Sequence, residues 1–264
     1  MAGTYLMAYD YEYFKKEILA LTSIDLNSYK EKQMKRRIDT LISKNKIDGY
    51  NNYVAALKTN TQLFDEFINY ITINVSEFYR NPEQWQFMDS TIIPEVISKF
   101  GKNVRIWSAA CSTGDEPYSL VMAFSKHLPL SNIKVMATDI DKTVIGKAKV
   151  GLYNDKSIEN VPAEFKKKYF TQVGPSYKIS DEIKARVEFK EHNLLKDKYM
   201  TDCPIIVCRN VLIYFTEEAK DEIFRKFYDA LPSGGILFIG STEQIMNYKD
   251  IGFDRKSSFF YVKP

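Results

Sequence analysis

WSAACSTGDEPYSL, residues 107–120, leads from apolar residues into a turn of small side chains and then into a helix start carrying two acids. It holds one glycine, Gly114, where a dinucleotide-binding turn of the G-x-G-x-x-G type would hold three. Small residues in such a turn let the backbone approach a ligand, and the helix that follows offers unpaired N–H groups to a carboxylate. The stretch predicts a strand–turn–helix ligand site that lacks a pyrophosphate cradle.

The surrounding residues supply the sheet. NVRIWSA (103–109) reads as a buried strand, with a helix from Glu116 to His127. IKVMATDID (133–141) is a second strand ending in acids, followed by the helical DKTVIGKAKVG. CPIIVCRNVLIYF (203–215) is a third, running into polar residues and then the helix TEEAKDEIFRKFYDAL. GGILFIGSTE and SFFYVKP supply two late strands, close enough in sequence to pair antiparallel at the edge. Strands alternating with helices imply a parallel sheet with right-handed crossovers. The stretch from about Leu152 to Glu188 breaks that alternation: a Gly-Pro turn in TQVGPSYKIS separates short extended runs, which reads as a small inserted β-rich excursion.

Residues 9 to about 72 read as helices only. Met34, Ile38, Leu41 and Ile42 recur at helical spacing, as do Leu63, Phe67, Tyr70 and Ile71. Asn27 or Ser28 is placed to cap the first of these two helices.

Bulk composition narrows the chemistry. At 264 residues, 45% hydrophobic and 27% charged, the chain has an ordinary globular balance with room for a large domain and a smaller module. A net charge of +3 does not by itself imply nucleic acid. No apolar run approaches the ~20 residues needed to span a bilayer, so direct membrane insertion is not expected. The N-terminus lacks a signal-peptide layout. Cys111, Cys203 and Cys208, without CxxC or histidine pairing, read as reduced, buried, cytoplasmic thiols. With only His127 and His192, neither a metal site nor a histidine-based triad is expected.

Ligands of a doubly wound sheet bind outside the carboxyl ends of its strands. The first strand ends in Ala109-Ala110-Cys111-Ser112-Thr113-Gly114. The second ends in Thr138-Asp139, where an acid commonly accepts from ribose hydroxyls. The third ends in Cys208-Arg209-Asn210-Val211, with Asn193 in HNLL before it. Asparagine both donates and accepts, which suits a purine edge or an amino-acid head group. A carboxylate grip, a ribose acid and amides fit an adenosine with an amino-acid tail, S-adenosylmethionine rather than NAD.

Six motifs then converge: INVSEFYRNP (73–82), IWSAACSTGDEPYSL (106–120), ATDID (137–141), HNLL (192–195), CRNVLIYF (208–215) and GSTEQ (240–244). On these the chain resembles the chemotaxis receptor glutamate methyltransferases, the CheR family, over nearly its whole length. The resemblance implies a Rossmann-like α/β domain of the class I S-adenosylmethionine-dependent methyltransferases, carrying an inserted small β-subdomain and preceded by an all-α N-terminal domain. The boundaries it suggests are 1–72 for the helical receptor-docking domain, 73–90 for a linker with a cofactor-contacting motif, and 91–264 for the methyltransferase domain, with 152–188 inserted. It implies cofactor contacts at Asn74, Ser76, Arg80, Ala110, Glu116, Asp139, Asn193, Leu194, Asn210 and Val211. Ser76 stands where many relatives have Thr, and Asp115 where Glu is common; hydroxyl and charge are retained.

The implied reaction is methyl transfer to a glutamate side chain, with S-adenosylhomocysteine as the other product. A glutamate has a reference pKa of ~4.3 and is ionised at neutral pH, so no general base is required. The enzyme has to align and desolvate its nucleophile. Arg80, capable of a two-point grip on a carboxylate, and Tyr214, able to line the substrate side, are the catalytic candidates.

Seven basic residues between Lys30 and Lys46 stand against Glu31 and Asp39. Lys35, Arg36 and Arg37 among them are expected to project outward together and dock on the acidic helices of transmembrane chemoreceptors, the partner the family implies. Nucleic acid is not expected, for want of aromatic–basic interleaving. The turn TQVGPSYKIS looks short beside relatives that capture a receptor peptide there. The expected state is a cytoplasmic monomer recruited to membrane-bound receptor arrays. The rivals are a methyltransferase of the same fold with another substrate, and an adaptor that binds cofactor or nucleotide without catalysis.

Overall fold

A computed structural model describes the backbone of residues 2–264 and the side chains from Asp10 onward. The chain forms two compact units, one of residues up to 73 together with 214–220, the other of 74–213 and 221–264. Residues 74–90 count with the second unit rather than forming a separate linker.

The first unit contains helices α1 (Ala2–Thr22), α2 (Glu31–Lys44), α3 (Gly49–Thr59) and α4 (Thr61–Thr72). Met34, Ile38, Leu41 and Ile42 form the buried stripe of α2, and Leu63, Phe67 and Ile71 that of α4. Phe14, Tyr53 and Phe67, all fully buried, pack with ring centroids 6.0–6.5 Å apart, within the range of favourable aromatic pairs. Asn60 caps α4 by accepting from the Leu63 amide at 3.0 Å. Neither Asn27 nor Ser28 caps α2: they lie in a 3₁₀ turn, Leu26–Ser28, itself capped by Asp25, and Lys30 holds the α2 cap position. Residues 214–216 join this unit by strand-like bonds. The Lys30 amide donates to the Tyr214 carbonyl and the Thr216 amide to the Ser28 carbonyl, each at 2.9 Å.

The second unit begins with α5 (Pro82–Phe87), which runs through a π-helical segment, Met88–Ile92, into α6 (Ile93–Phe100). The alternation follows: β1 (Arg105–Ala109), α7 (Asp115–Phe124), β2 (Lys134–Asp139) and α8 (Lys142–Val150). The excursion contains β3 (Leu152–Asn154), α9 (Ala163–Tyr169), β4 (Phe170–Val173) and β5 (Ser176–Ile179). Its three strands form an antiparallel sheet ordered β3-β5-β4. After α10 (Asp181–Lys184) the chain returns as β6 (Val187–Glu191), then β7 (Ile205–Cys208), α11 (Glu217–Ala230), β8 (Ile236–Ile239), α12 (Tyr248–Ile251), β9 (Asp254–Arg255) and β10 (Phe260–Val262).

The main sheet has the order β6-β2-β1-β7-β8-β10-β9. The first five strands are parallel and β10 runs antiparallel to β8, so the two late strands pair as the sequence suggests, with β9 outside them. β6 corrects the sequence reading, which left Val187 and Glu188 in the excursion; they are the start of an edge strand beside β2. In β1, β7 and β8 nearly every side chain is buried, as expected of parallel strands covered on both faces. Because β1 lies between β2 and β7, the chain reverses direction across the sheet at β1, and the carboxyl ends of these strands face one crevice.

Candidate active site

The turn after β1 is held in unusual backbone conformations. Ala110 (φ +74°), Ser112 (φ +47°) and Gly114 (φ +91°) all lie in the left-handed region, which costs non-glycine residues ~1–3 kcal/mol each and marks functional turns. A Cβ at Gly114 would meet the Ala148 Cβ at 2.9 Å and the Tyr153 hydroxyl at 3.1 Å, so the single glycine of the motif is sterically required. The Ala110 and Cys111 amides both donate to the Thr138 carbonyl at 2.8 Å, joining the turn to the end of β2.

Asp139 closes β2 inside this turn. Its Oδ2 accepts from the Ser112 amide at 2.8 Å and its Oδ1 from the Asp141 amide at 3.0 Å. Burial raises its carboxyl to about 6, against the lowering effect of those backbone bonds. A carboxylate has about four acceptor sites, so each oxygen keeps capacity for a ligand hydroxyl. The next acid, Asp141, caps α8 through the Thr143 amide and accepts from Asn74 Nδ2 at 2.8 Å. Asn74 is thereby anchored to the acid two residues after Asp139. Asp115, also buried, is pushed up to about 6 by desolvation, with the hydroxyls of Thr113 and Ser76 pulling it down.

HNLL follows β6, beside β2. The His192 amide donates to the Asp139 carbonyl at 2.9 Å. Asn193 Oδ1 accepts from the Leu195 amide at 2.9 Å, its own amide donates to Asp197, and Leu194 is buried with its carbonyl accepting from the Tyr199 hydroxyl.

The third strand end carries charge the sequence reading did not single out. Arg209 is buried and donates from Nη2 to the Arg80 carbonyl at 2.8 Å, Asn81 Oδ1 at 3.2 Å and Gln84 Oε1 at 2.8 Å. Its Nη1 lies 3.8 Å from Oε2 of Glu116, whose Oε1 accepts from the Ser108 hydroxyl at 2.8 Å. Burial lifts the Glu116 carboxyl to about 7; the charges of Arg209 and Arg80 and the Ser108 bond oppose the rise. Glu243, 4% exposed, accepts from the amides of Gly240 (2.7 Å), Asn210 (3.0 Å) and Leu212 (2.7 Å). It fixes Asn210 in its left-handed conformation (φ +60°) with Val211 next to it. Both Arg209 and Glu243 lie in motifs quoted above, yet charged residues in a sequence look solvated, and only the fold buries them.

Arg80 is partly exposed, and among the described residues its guanidinium makes one hydrogen bond, Nη1 to the Val75 carbonyl at 3.2 Å. Tyr214, by contrast, counts with the helical unit. It lines a cleft of about 240 Å³ there with Lys30, Gln33, Met34, Arg36, Arg37 and Ile73. Of the expected outward cluster Lys35–Arg36–Arg37, Arg36 and Arg37 share this cleft, while Lys35 and Arg37 are partly buried. Arg36 is exposed. Lys35 lies over the Tyr11 ring at 5.1 Å, and Arg37 stacks on Tyr70 at 4.6 Å while donating to the Tyr70 carbonyl.

Among the described residues, no group of three or more His, Cys, Asp or Glu is placed to hold a metal ion, and no helix is long and apolar enough to cross a membrane. The donor set does fit S-adenosylmethionine. Asp139 keeps acceptor capacity that would suit ribose hydroxyls, the 110–114 turn would let a ligand approach the backbone, and Glu116 and Arg80 would present a carboxyl group and a cation to an amino-acid tail.

A parallel sheet with a reversed late strand, presenting an acid after β2 and no pyrophosphate cradle after β1, is that of the class I S-adenosylmethionine-dependent methyltransferases. Two matches narrow the class. Residues 9–72 match the family model for the CheR methyltransferase all-alpha domain and residues 74–258 that for the CheR methyltransferase SAM binding domain. The chain belongs to the CheR methyltransferase family, and is an S-adenosylmethionine-dependent methyltransferase. It is 40% identical over 254 residues to a chemotaxis protein methyltransferase of Listeria innocua, covering 96% of this chain and 97% of that one. It is 39% identical over 254 residues to that of Listeria monocytogenes, with the same coverage, and 30% identical to that of Borreliella burgdorferi over 87% of this chain and 86% of the relative.

Proposed function

We propose that this protein methylates the side-chain carboxylates of specific glutamates in bacterial chemoreceptors, giving methyl esters that serve chemotactic adaptation. S-adenosylmethionine supplies a methyl group on a sulfonium, which leaves as a neutral thioether. Asp139, with the 110–114 turn, Asn193, Leu194, Asn210 and Val211, binds the nucleoside part; Glu116, Asn74 and Ser76 hold or frame the amino-acid end. Arg80 orients the substrate carboxylate or the cofactor's own.

The observation that carries the reading is a site rich in positioning groups, whose acids are engaged by neighbours: Asp139 by the Ser112 and Asp141 amides and Glu116 by the Ser108 hydroxyl. A carboxylate nucleophile is already ionised, so it needs alignment and desolvation only. The thiols of Cys111 and Cys208 are raised well above 9.0 by burial and are not nucleophiles. His192 is lowered by burial and packs edge-on against Trp107 at 5.4 Å.

Substrate recognition belongs to the helical unit. The basic cleft of Lys30, Arg36 and Arg37 suits an acidic helical surface, and attraction of that kind raises the association rate. The protein works as a monomer in the cytoplasm and meets the receptors at the membrane. Incubating it with S-adenosylmethionine and a receptor cytoplasmic fragment, followed by peptide mapping, tests the reading. Methyl groups on glutamate side chains support it. Cofactor binding with no modified receptor residue would instead indicate an adaptor.

A further inference from the structure

The segment carrying Arg80 is held from beneath by a buried arginine to which no role in the reaction is assigned. Tyr79 (φ +50°) and Asn81 (φ +61°) flank Arg80 in the left-handed region. A non-glycine pair in that conformation persists only where surrounding bonds over-determine it. The upstream side is fixed by the Tyr79 amide donating to Ser119 Oγ at 3.1 Å and the Phe78 amide to the Ser157 carbonyl at 2.9 Å. The downstream side depends on Arg209, whose Nη2 meets the Arg80 carbonyl, Asn81 Oδ1 and Gln84 Oε1. Trp85 Nε1 adds a second donor to the Arg80 carbonyl at 3.1 Å.

Arg209 is itself rigid. Its guanidinium lies over the Phe238 ring at 4.6 Å and the Trp85 ring at 5.8 Å, and Glu116 faces its other nitrogen. A planar, delocalised cation suits this slot; a lysine ammonium, a compact point charge, could not stack on the rings and serve these acceptors together. We infer that Arg209 is a positioning residue for the methyl-transfer reaction, acting through Arg80 by locking the Tyr79–Asn81 turn from which the Arg80 side chain projects. This rests on the function proposed above, in that Arg80 must matter for transfer.

A purely structural Arg209 would weaken the fold whatever stands at position 80, whereas a positioning Arg209 matters only while Arg80 is present. The test is a double-mutant cycle of Arg209→Lys with Arg80→Ala, read as labelled methyl transfer to receptor fragments. Arg209→Lys should slow transfer at least about tenfold in the native background and less than about twofold in the Arg80→Ala background. Equal losses in both backgrounds would overturn the inference. A second reading needs neither substrate nor cofactor: amide exchange across residues 79–84 should quicken in Arg209→Lys while exchange in β1 and β2 stays unchanged. Unchanged exchange at 79–84 would also overturn it. Should Arg209→Lys fail to fold, Gln84→Met, which removes one of the three acceptors and keeps the volume, carries both arms. If the native protein methylates no receptor, the function is wrong, and the exchange experiment still decides whether Arg209 locks the turn.

Discussion

Oε2 of Glu116 lies 3.8 Å from Nη1 of Arg209, the two side chains being only 12% and 2% exposed. Even beside that cation, the carboxyl is lifted to about 7, because burial outweighs the attraction. The folded chain therefore holds a proton that the unfolded chain, with an ordinary value of 4.5, has already lost. This group's contribution to stability falls as pH rises from about 4.5 to about 7 and is level above that. Glu116→Gln removes the dependence. The melting temperature of the variant minus that of the native protein should rise across this window, Asp115 and Asp139 being common to both. A difference that is flat, or that falls with pH, contradicts the burial argument.

Asp139→Ala should weaken S-adenosylmethionine binding by on the order of 1–3 kcal/mol, the loss expected when ligand hydroxyls lose a charged acceptor. The two backbone amides on Asp139 give the loop a reason to move as well, so calorimetry belongs with a folding check by circular dichroism. Unchanged affinity in the folded variant removes Asp139 from the site.

Much of this is legible in the sequence. β1, β2, β7 and β8 are runs of buried apolar residues bounded by turns, and such runs signal strands directly. β6 is not, because VEFKE is an edge strand with no fully buried side chain, and its pattern looks like loop. The left-handed residues of the Tyr79–Asn81 and 110–114 turns left no composition signal beyond Gly114. The place of Tyr214 in the helical unit is equally hidden. This residue follows the strand motif in sequence, but a 3₁₀ turn at Leu212–Tyr214 carries the chain into hydrogen bonds with Lys30. Periodicity identified the buried face of α2 correctly, yet a count of basic residues could not say that Lys35 and Arg37 lie on tyrosine rings.

That distinction changes how docking should be tested. Arg36→Glu should slow receptor methylation while sparing cofactor affinity. The native rate should fall with added salt, since exposed charges are screened over ~8–10 Å at physiological ionic strength. Lys35→Glu should have the smaller effect, and Arg37→Glu should also lower the melting temperature by losing the Tyr70 carbonyl. Receptor methylation at the native rate by Arg36→Glu removes the cleft from recognition.

Arg80→Lys keeps the charge but loses the planar two-point grip. Transfer should drop at least about tenfold, ~1.4 kcal/mol in the barrier, with the melting temperature nearly unmoved; Arg80→Ala should be slower still. If cofactor affinity falls in step, Arg80 holds the methionine end; if only the rate falls, it aligns the glutamate. Native turnover in the lysine variant would leave Arg80 as a surface cation.

The central claim is transfer of a methyl group to a receptor carboxylate, and the most direct measurement is the fate of labelled methyl from S-adenosylmethionine incubated with receptor-containing membranes. The account predicts label on the receptor band, released by mild base as an ester must be, and diminished by Asp139→Ala when the cofactor is below saturation. Label that resists base, or that never leaves the cofactor, would contradict it.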